Sequence, residues 1–349
     1  MTNSRVLKVN TPTSSFEKGT IERGEVAANE VLIDIAYSGI CHSDLHQARN
    51  EWFEGIFPMV PGHEIAGHVS AVGSNVTKFK VGDAVGVGTM VGSCGECEYC
   101  KAGRENVCLK GNVQTYNGRH YDGRETYGGY SSSIIVDQDF VLSIPESLSL
   151  DAAAPLLCAG ITTYAPLKRW GAGPGKRIAI LGMGGLGHLG VKFSVALGAD
   201  TYVLGTSKAK AADAAAYGAL DYLLITEEET FTKHANFFDV ILNTTSSDIA
   251  VDKMVSMLRV GGSLVNVGLP PTDVHFNPFS LIASMKSISG SNTGGIQETQ
   301  GMLDFCGEHN IAADVEIVDA TEASAIDAAY EKMLHSDVRY RFVIDAKTI

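Results

Sequence analysis

The chain has 349 residues, 45% of them hydrophobic, and its 27 basic and 40 acidic residues give a formal charge of −13. That length accommodates two domains at ~100–200 residues each, and the acidic balance excludes a phosphate-backbone partner, which requires clustered Lys and Arg, so nucleic acid is not the ligand. Seven cysteines, an odd number in so long a chain, exclude a disulfide scaffold, which is short and cysteine-dense.

The start, MTNSRVLKVNTPTSS, has no apolar stretch of the secretory kind, and no later run approaches the ~18 uninterrupted apolar residues of a membrane span. A soluble, cytoplasmic protein without a membrane partner is expected. From about Glu30 to Leu142 the sequence runs in short alternating stretches such as VLIDIAYSGI and HEIAGHVSAVGS, punctuated by Gly and turn dipeptides, which predicts an antiparallel, barrel-like domain. Inside it, SCGECEYCKAGRENVC carries Cys94, Cys97, Cys100 and Cys108 at the spacing C-x2-C-x2-C-x7-C. Cysteines two residues apart can wrap one ion, and four thiolates suit tetrahedral zinc with no open position. Unrelated surface thiols and an iron–sulfur cluster are the alternatives. A closed site of this kind holds a loop and does no chemistry.

After Pro155 the pattern changes to apolar run, Gly-rich turn and helix: RIAIL, then GMGGLG, then a segment with Leu186, Leu189, Phe193, Ala196 and Leu197 on one predicted face. This is the order of a βαβ unit. Further strands are expected at TYVLG, YLLI, FDVILN and SLVNVGL, spaced for crossover helices, so a doubly wound parallel sheet fits. Gly182, Gly184 and Gly187 form G-x-G-x-x-G, with Gly185 and Leu186 inside it, between predicted strand and predicted helix. In that context the glycines let backbone approach a pyrophosphate at a helix N-terminus. An NAD site places an acid about 20 residues on. Here Thr206 stands there, followed by Ser207, Lys208 and Lys210, and hydroxyls with cations suit a 2′-phosphate.

Chemistry requires other residues. Cys41 opens CHSDLH, His63 and Glu64 lie in PGHE, and Cys158 lies in LLCAG; none is persuasive alone, an isolated Cys or His being more often a core or structural residue, and the combination is what points to a site. Together GICHSDLH, VPGHEIAGHVSAVGSNVTKFKVGDAVGVG, the four-cysteine lobe, GGYS, LLCAGITTY, GMGGLGHLGVKFSVALGA and VRYRFVID resemble the zinc-dependent medium-chain alcohol dehydrogenases, in particular the cinnamyl alcohol dehydrogenase branch with its NADP-dependent bacterial aldehyde reductases. The resemblance covers nearly the whole chain in order. It implies an α/β plus β architecture: a GroES-like barrel catalytic domain from residues 1–153 and 291–349, with the structural zinc lobe at about 93–110, and an inserted Rossmann domain at 154–290.

It further implies two zinc ions per chain and NADP(H). The catalytic zinc would take Cys41, His63 and Cys158, with Glu64 as an alternate ligand and Asp44 orienting the histidine; Ser43 and His46 would relay protons, Thr162 would meet the nicotinamide side, and Trp52 would form an apolar substrate wall. The substrates implied are aromatic or medium aliphatic alcohols and aldehydes, and the assembly a homodimer with SLIASMKSISGS as edge strand. A polyol dehydrogenase, and a zinc-stabilised nucleotide-binding protein without catalysis, are the alternative readings.

Overall fold

The computed structural model describes residues 2–270 and 272–349. They form two compact units, one reaching to Cys158 and resuming at Gly294, the other running from Ala159 to Thr293.

The first unit is built on the ten-residue strand Glu30–Gly39, in which Val31, Ile33 and Ile35 are buried and Asp34 is exposed. That alternation turns one face to the core. The strand is central to a seven-stranded sheet ordered Val315–Asp319, Arg341–Asp345, Glu30–Gly39, Ile65–Val72, Ala84–Val87, Leu142–Ser143, with Ser133–Asp137 also paired to Glu30–Gly39. Its pairs are antiparallel except one: Val315–Asp319 and Arg341–Asp345 run parallel, because the helix Ser324–Leu334 lies between them and supplies the crossover a parallel pair needs. The strands between Glu30 and Ser143 pair antiparallel throughout, as expected, and the returning tail adds the one parallel pair. A hairpin, Thr2–Lys8 with Glu17–Gly24, precedes the region in which strands were anticipated; its second strand, EKGTIERG, is mostly exposed and carries little apolar signal.

In the second unit six strands are all parallel, in the order Asp221–Leu224, Asp200–Gly205, Arg177–Leu181, Phe238–Asn243, Leu258–Asn266, Ser287–Gly290. The order steps outward in both directions from Arg177–Leu181 and Phe238–Asn243, the doubly wound pattern whose reversal point carries ligand. Arg177–Leu181 is buried along Ile178, Ala179, Ile180 and Leu181, as a strand covered on both faces must be. The helix Gly187–Ala196 buries more than the single stripe anticipated: Leu189, Val191 and Phe193 are inaccessible, whereas Leu186, Ala196 and Leu197 are half-buried. Phe193 meets Tyr164 of helix Ala159–Arg169 edge to face at 5.2 Å on the anticipated face, and His188 and Val191, which lie off it, are buried too, so the helix is covered on a side the single-face pattern leaves to solvent. Of the segment from Ser280 to Ser291 only Ser287–Gly290 is strand, at the sheet edge; Phe279–Ile282 is helical. No described helix is long and apolar enough to cross a membrane.

Candidate active site

The lobe shows how four nearby cysteines are arranged locally. Cys97 caps the short helix Glu98–Lys101, and Gly95, at φ 67°, turns the chain back so that one knuckle carries Cys94, Cys97 and Cys100. Backbone N–H groups point at sulfur: Cys97 N–H to Cys94 Sγ at 3.4 Å, Cys100 N–H to Cys97 Sγ at 3.5 Å and Cys94 N–H to Cys108 Sγ at 3.4 Å. Hydrogen bonds to the anion favour thiolate, and those from Leu109 and Cys100 bring the Cys97 thiol down to about 6. All four sulfurs lie within 4.8 Å of one another, with Cys94–Cys100 at 3.8 Å and Cys97–Cys100 at 3.4 Å, and none is in a disulfide. Sulfur ligands ~2.3 Å from a tetrahedral ion sit ~3.8 Å apart. The donor set fits zinc.

A second cluster is assembled from distant residues. Cys41 is the N-cap of helix His42–Ala48, His63 and Glu64 stand just before strand Ile65–Val72, and Cys158 ends the 3-10 turn Ala154–Leu157. All four are buried, and their ligand atoms lie within 4.8 Å of one another. His63 Nε2 is 3.2 Å from Cys158 Sγ, and Ser43 Oγ is 3.6 Å from Cys41 Sγ. Asp44 explains the arrangement. It reaches back to the Cys41 N–H at 2.9 Å, the returning half of a capping box, and its other oxygen accepts from Gly62 N–H at 3.1 Å and faces His63 Nδ1 at 3.0 Å. With Nδ1 as donor to the carboxylate, Nε2 is the free lone pair aimed at the cluster. Burial opposes the charge on His63, but Asp44 outweighs it and raises the imidazole well above its usual range. Cys41 is held well below the ordinary thiol range, first by its hydrogen bond with Cys158, which rises in turn.

Glu64 is wholly inaccessible and is paired with Arg341, itself 3% exposed. Burial pushes the Glu64 carboxyl up to about 7 against the pull of Arg341, and its Oε2 has no hydrogen-bond partner among the described residues. A buried oxygen left unpaired beside two thiols and an imidazole suits a cation. The cluster therefore fits a metal ion, offering two thiols, an imidazole and a carboxylate oxygen.

His46, at the end of the same helix, has its Nδ1 at 2.5 Å from Glu51 Oε2, and its ring stacks on Trp52 with centroids 4.7 Å apart. Trp52 thus covers His46, and no described hydrogen bond joins His46 to Ser43.

In the second unit the glycine turn connects strand Arg177–Leu181 to helix Gly187–Ala196. Gly182 has φ 87°, and a Cβ on Gly187 would run into the Gly182 carbonyl. Gly184 is different: a Cβ there would meet nothing within 4 Å, so its face is left open for a ligand to approach backbone. That cradle fits a dinucleotide. Gly185 and Leu186 are half-buried beside it, Thr206, Ser207 and Lys208 are exposed after strand Asp200–Gly205, Lys210 is half-buried, and Thr162 is half-buried on helix Ala159–Arg169.

Several participants were not singled out from sequence. Arg341 carried a signal, a charge inside the apolar strand RFVID, as did Glu51, an acid following His46. Thr244 carried none: its hydroxyl donates to the Leu181 carbonyl at 2.9 Å and meets Gly182 O at 3.3 Å, a contact between neighbouring strands.

Residues 27–146 match the family model for the alcohol dehydrogenase GroES-like domain, and residues 185–308 that for zinc-binding dehydrogenase. The chain is 56% identical over 99% of its length to the "Probable formaldehyde dehydrogenase AdhA" of Bacillus subtilis, covering 98% of that protein. It is 51% identical to the NADP-dependent alcohol dehydrogenase C 1 of Mycolicibacterium smegmatis, with 97% and 96% of the two chains covered. Among solved structures it resembles a cinnamyl alcohol dehydrogenase of Sorghum bicolor, with TM-score 0.94, 38% identity and 99% and 98% coverage. Two metal-type clusters, a glycine turn at the reversal point of a doubly wound sheet and these likenesses agree: the chain belongs to the zinc-binding alcohol dehydrogenase family, with a GroES-like domain and a Rossmann domain.

Proposed function

We propose that this protein interconverts primary alcohols and aldehydes, aromatic or medium aliphatic, by hydride transfer with NADP(H): aldehyde, NADPH and a proton give alcohol and NADP⁺, and the reverse. The observation that carries this reading is the convergence of Cys41, His63 and Cys158, from separate stretches of chain, on one buried point beside Glu64. When bound, zinc supplies Lewis acidity toward the substrate oxygen and NADP(H) supplies or accepts the hydride.

The chain's own residues do the rest. Cys41, His63 and Cys158 would hold the ion, and substrate oxygen would take the remaining position. Asp44 keeps His63 in the tautomer that can ligate, and Glu64, paired with Arg341, would serve as an alternate ligand. Ser43 passes a proton to or from the substrate oxygen. His46 exchanges it with solvent, with Glu51 holding the Nδ1 side of the ring. Trp52 lines the substrate wall on the face not covered by His46. Gly182, Gly184, Gly185, Leu186 and Gly187 present backbone to the pyrophosphate, Thr162 meets the nicotinamide, and Thr206, Ser207, Lys208 and Lys210 offer donors and charge to the 2′-phosphate. The relative from Mycolicibacterium smegmatis, an NADP-dependent enzyme by name, supports that choice. Unpaired cysteines throughout favour a reducing, cytoplasmic setting. Phe279, Ile282 and Met285, 69%, 73% and 75% exposed before edge strand Ser287–Gly290, favour a homodimer formed there.

Titrating NADPH and NADH into the protein, followed by turnover of an aldehyde panel, tests the reading. NADPH should bind ~100-fold tighter, since hydrogen bonds to a charged group contribute ~1.5–3 kcal/mol each. Thr206→Asp with Lys210→Ala should remove that preference. Tighter binding of NADH, or no reduction of any aldehyde, would overturn it.

A further inference from the structure

Asp44 is fully inaccessible to solvent, and a carboxylate in that position must have its lone pairs taken up. Each oxygen has one backbone donor: Gly62 N–H on one side, Cys41 N–H on the other. The first oxygen also faces His63. The second faces the Tyr130 hydroxyl at 3.3 Å, and that hydroxyl lies 3.4 Å from the hydroxyl of Tyr330, on helix Ser324–Leu334. A carboxylate only accepts. The direction of the chain is thereby set: Tyr330 donates to Tyr130, Tyr130 to Asp44, and His63 donates to Asp44 from the opposite side.

Tyr130 also shapes the backbone that carries His63. Gly128 N–H donates to Val60 O at 2.8 Å, Gly129 N–H to Gly62 O at 2.9 Å and Tyr130 N–H to Pro61 O at 2.9 Å. The segment 128–130 therefore lies along 60–62. Gly62 has φ 106°, and a Cβ built on it would stand 2.7 Å from Tyr130 Cδ1 and 2.8 Å from Gly129 N. Tyr130 is wholly buried, Tyr330 is 3% exposed, and Phe16 packs against both rings, at 6.0 and 5.4 Å. Neither hydroxyl is near solvent, so neither is there for solubility.

We propose that Tyr130 and Tyr330 are positioning residues for the metal-binding histidine, a donor chain that holds Asp44 in the rotamer that orients His63. The proposal rests on the reading of Cys41, His63 and Cys158 as a zinc site. Hydrogen-bonded groups behind a metal-binding histidine set affinity by ~10- to 100-fold when removed. Chains of hydrogen bonds polarise one another, so the outer hydroxyl acts through the inner one with less effect.

The test uses the zinc-loaded full-length protein and a zinc-chelating dye, and reads the release rate of each of the two metals together with Tm. Tyr130→Phe keeps the ring and deletes the hydroxyl; it should speed release of one zinc by ~10-fold and leave the other, in the cysteine lobe, unchanged. Tyr330→Phe should do the same by ~3-fold. A loss of Tm with both metals released faster in proportion would mean a general packing role and would overturn the proposal, as would unchanged release in both variants. If the unmutated protein holds zinc in the lobe alone, the reading of the site fails and the proposal with it. Two zincs in the unmutated protein, with Tyr130→Phe indistinguishable from it, sinks the proposal only.

Discussion

The same compact unit contains two clusters of four metal-type donors, built in opposite ways. Cys94, Cys97, Cys100 and Cys108 come from one loop, are sulfur only and are in part exposed, whereas Cys41, His63, Glu64 and Cys158 come from a helix start, a turn and a 3-10 end, are of mixed chemistry and are wholly buried. Closing a short loop costs little chain entropy, so the first cluster needs only glycines and backbone N–H groups to form. The second needs a folded domain. Its donors are held by residues that do not belong to it: Asp44, Arg341 and the tyrosines behind Asp44. A closed, homogeneous set can stabilise the fold. The buried, mixed set, whose carboxylate oxygen has no partner among the described residues, is the one proposed to take substrate.

If that contrast is right, the largest effect on turnover comes from the buried cluster. Cys158→Ala should lower kcat by ~10³-fold or more, the scale of losing several kcal/mol of charge stabilisation, and metal analysis should show one zinc in place of two with the far-ultraviolet spectrum kept. Undiminished turnover would remove the buried cluster from catalysis.

His46 sharpens the comparison, because it lies outside the ligand set. His46→Gln should slow turnover by ~10²-fold at neutral pH with both zincs retained, and small buffer bases should restore part of the rate. Loss of zinc in this variant would show that His46 acts on the metal and not on the proton.

The lobe should show the smallest effect on turnover and a clear one on stability. Cys100→Ala should leave kcat of the folded protein within about 3-fold while lowering Tm by about 5 °C or more, because a structural ion contributes folding free energy directly. A Tm equal to that of Cys158→Ala, with kcat lost in both, would erase the distinction between the two clusters.

Much of this was legible in the chain. The lobe is a spacing, the glycine turn is a spacing between a strand and a helix, and Cys41, His63 and Cys158 stood out once taken together. Glu51 and Arg341 were harder. A carboxylate after a histidine is common, and Arg341 sits in an apolar strand whose partner, Glu64, is 277 residues away. Tyr130 lay in the quoted GGYS without a role, because a tyrosine in a turn has no periodicity to say what its hydroxyl meets. The parallel pairing of Val315–Asp319 with Arg341–Asp345 was not foreseen and the two-sided burial of helix Gly187–Ala196 was missed for a related reason: alternation and helical period describe one face of one element, not what covers it.

The sequence by itself determined what local geometry can encode. It set the cysteine knuckle, the strand–glycine–helix turn whose Gly182 and Gly187 admit no side chain, the strand and helix segments of the second unit and the absence of an acid after strand Asp200–Gly205. Tertiary structure decided the rest. Only folding pairs Arg341–Asp345 with Glu30–Gly39, brings Cys158 to His63 across 95 positions of chain and seats Asp44 among Gly62, His63 and Tyr130. Spacing along the chain specifies which atoms can meet within a turn or two. Which distant side chains share one buried point depends on the packing of whole elements, which alone strips the water from those groups and makes their mutual hydrogen bonds obligatory.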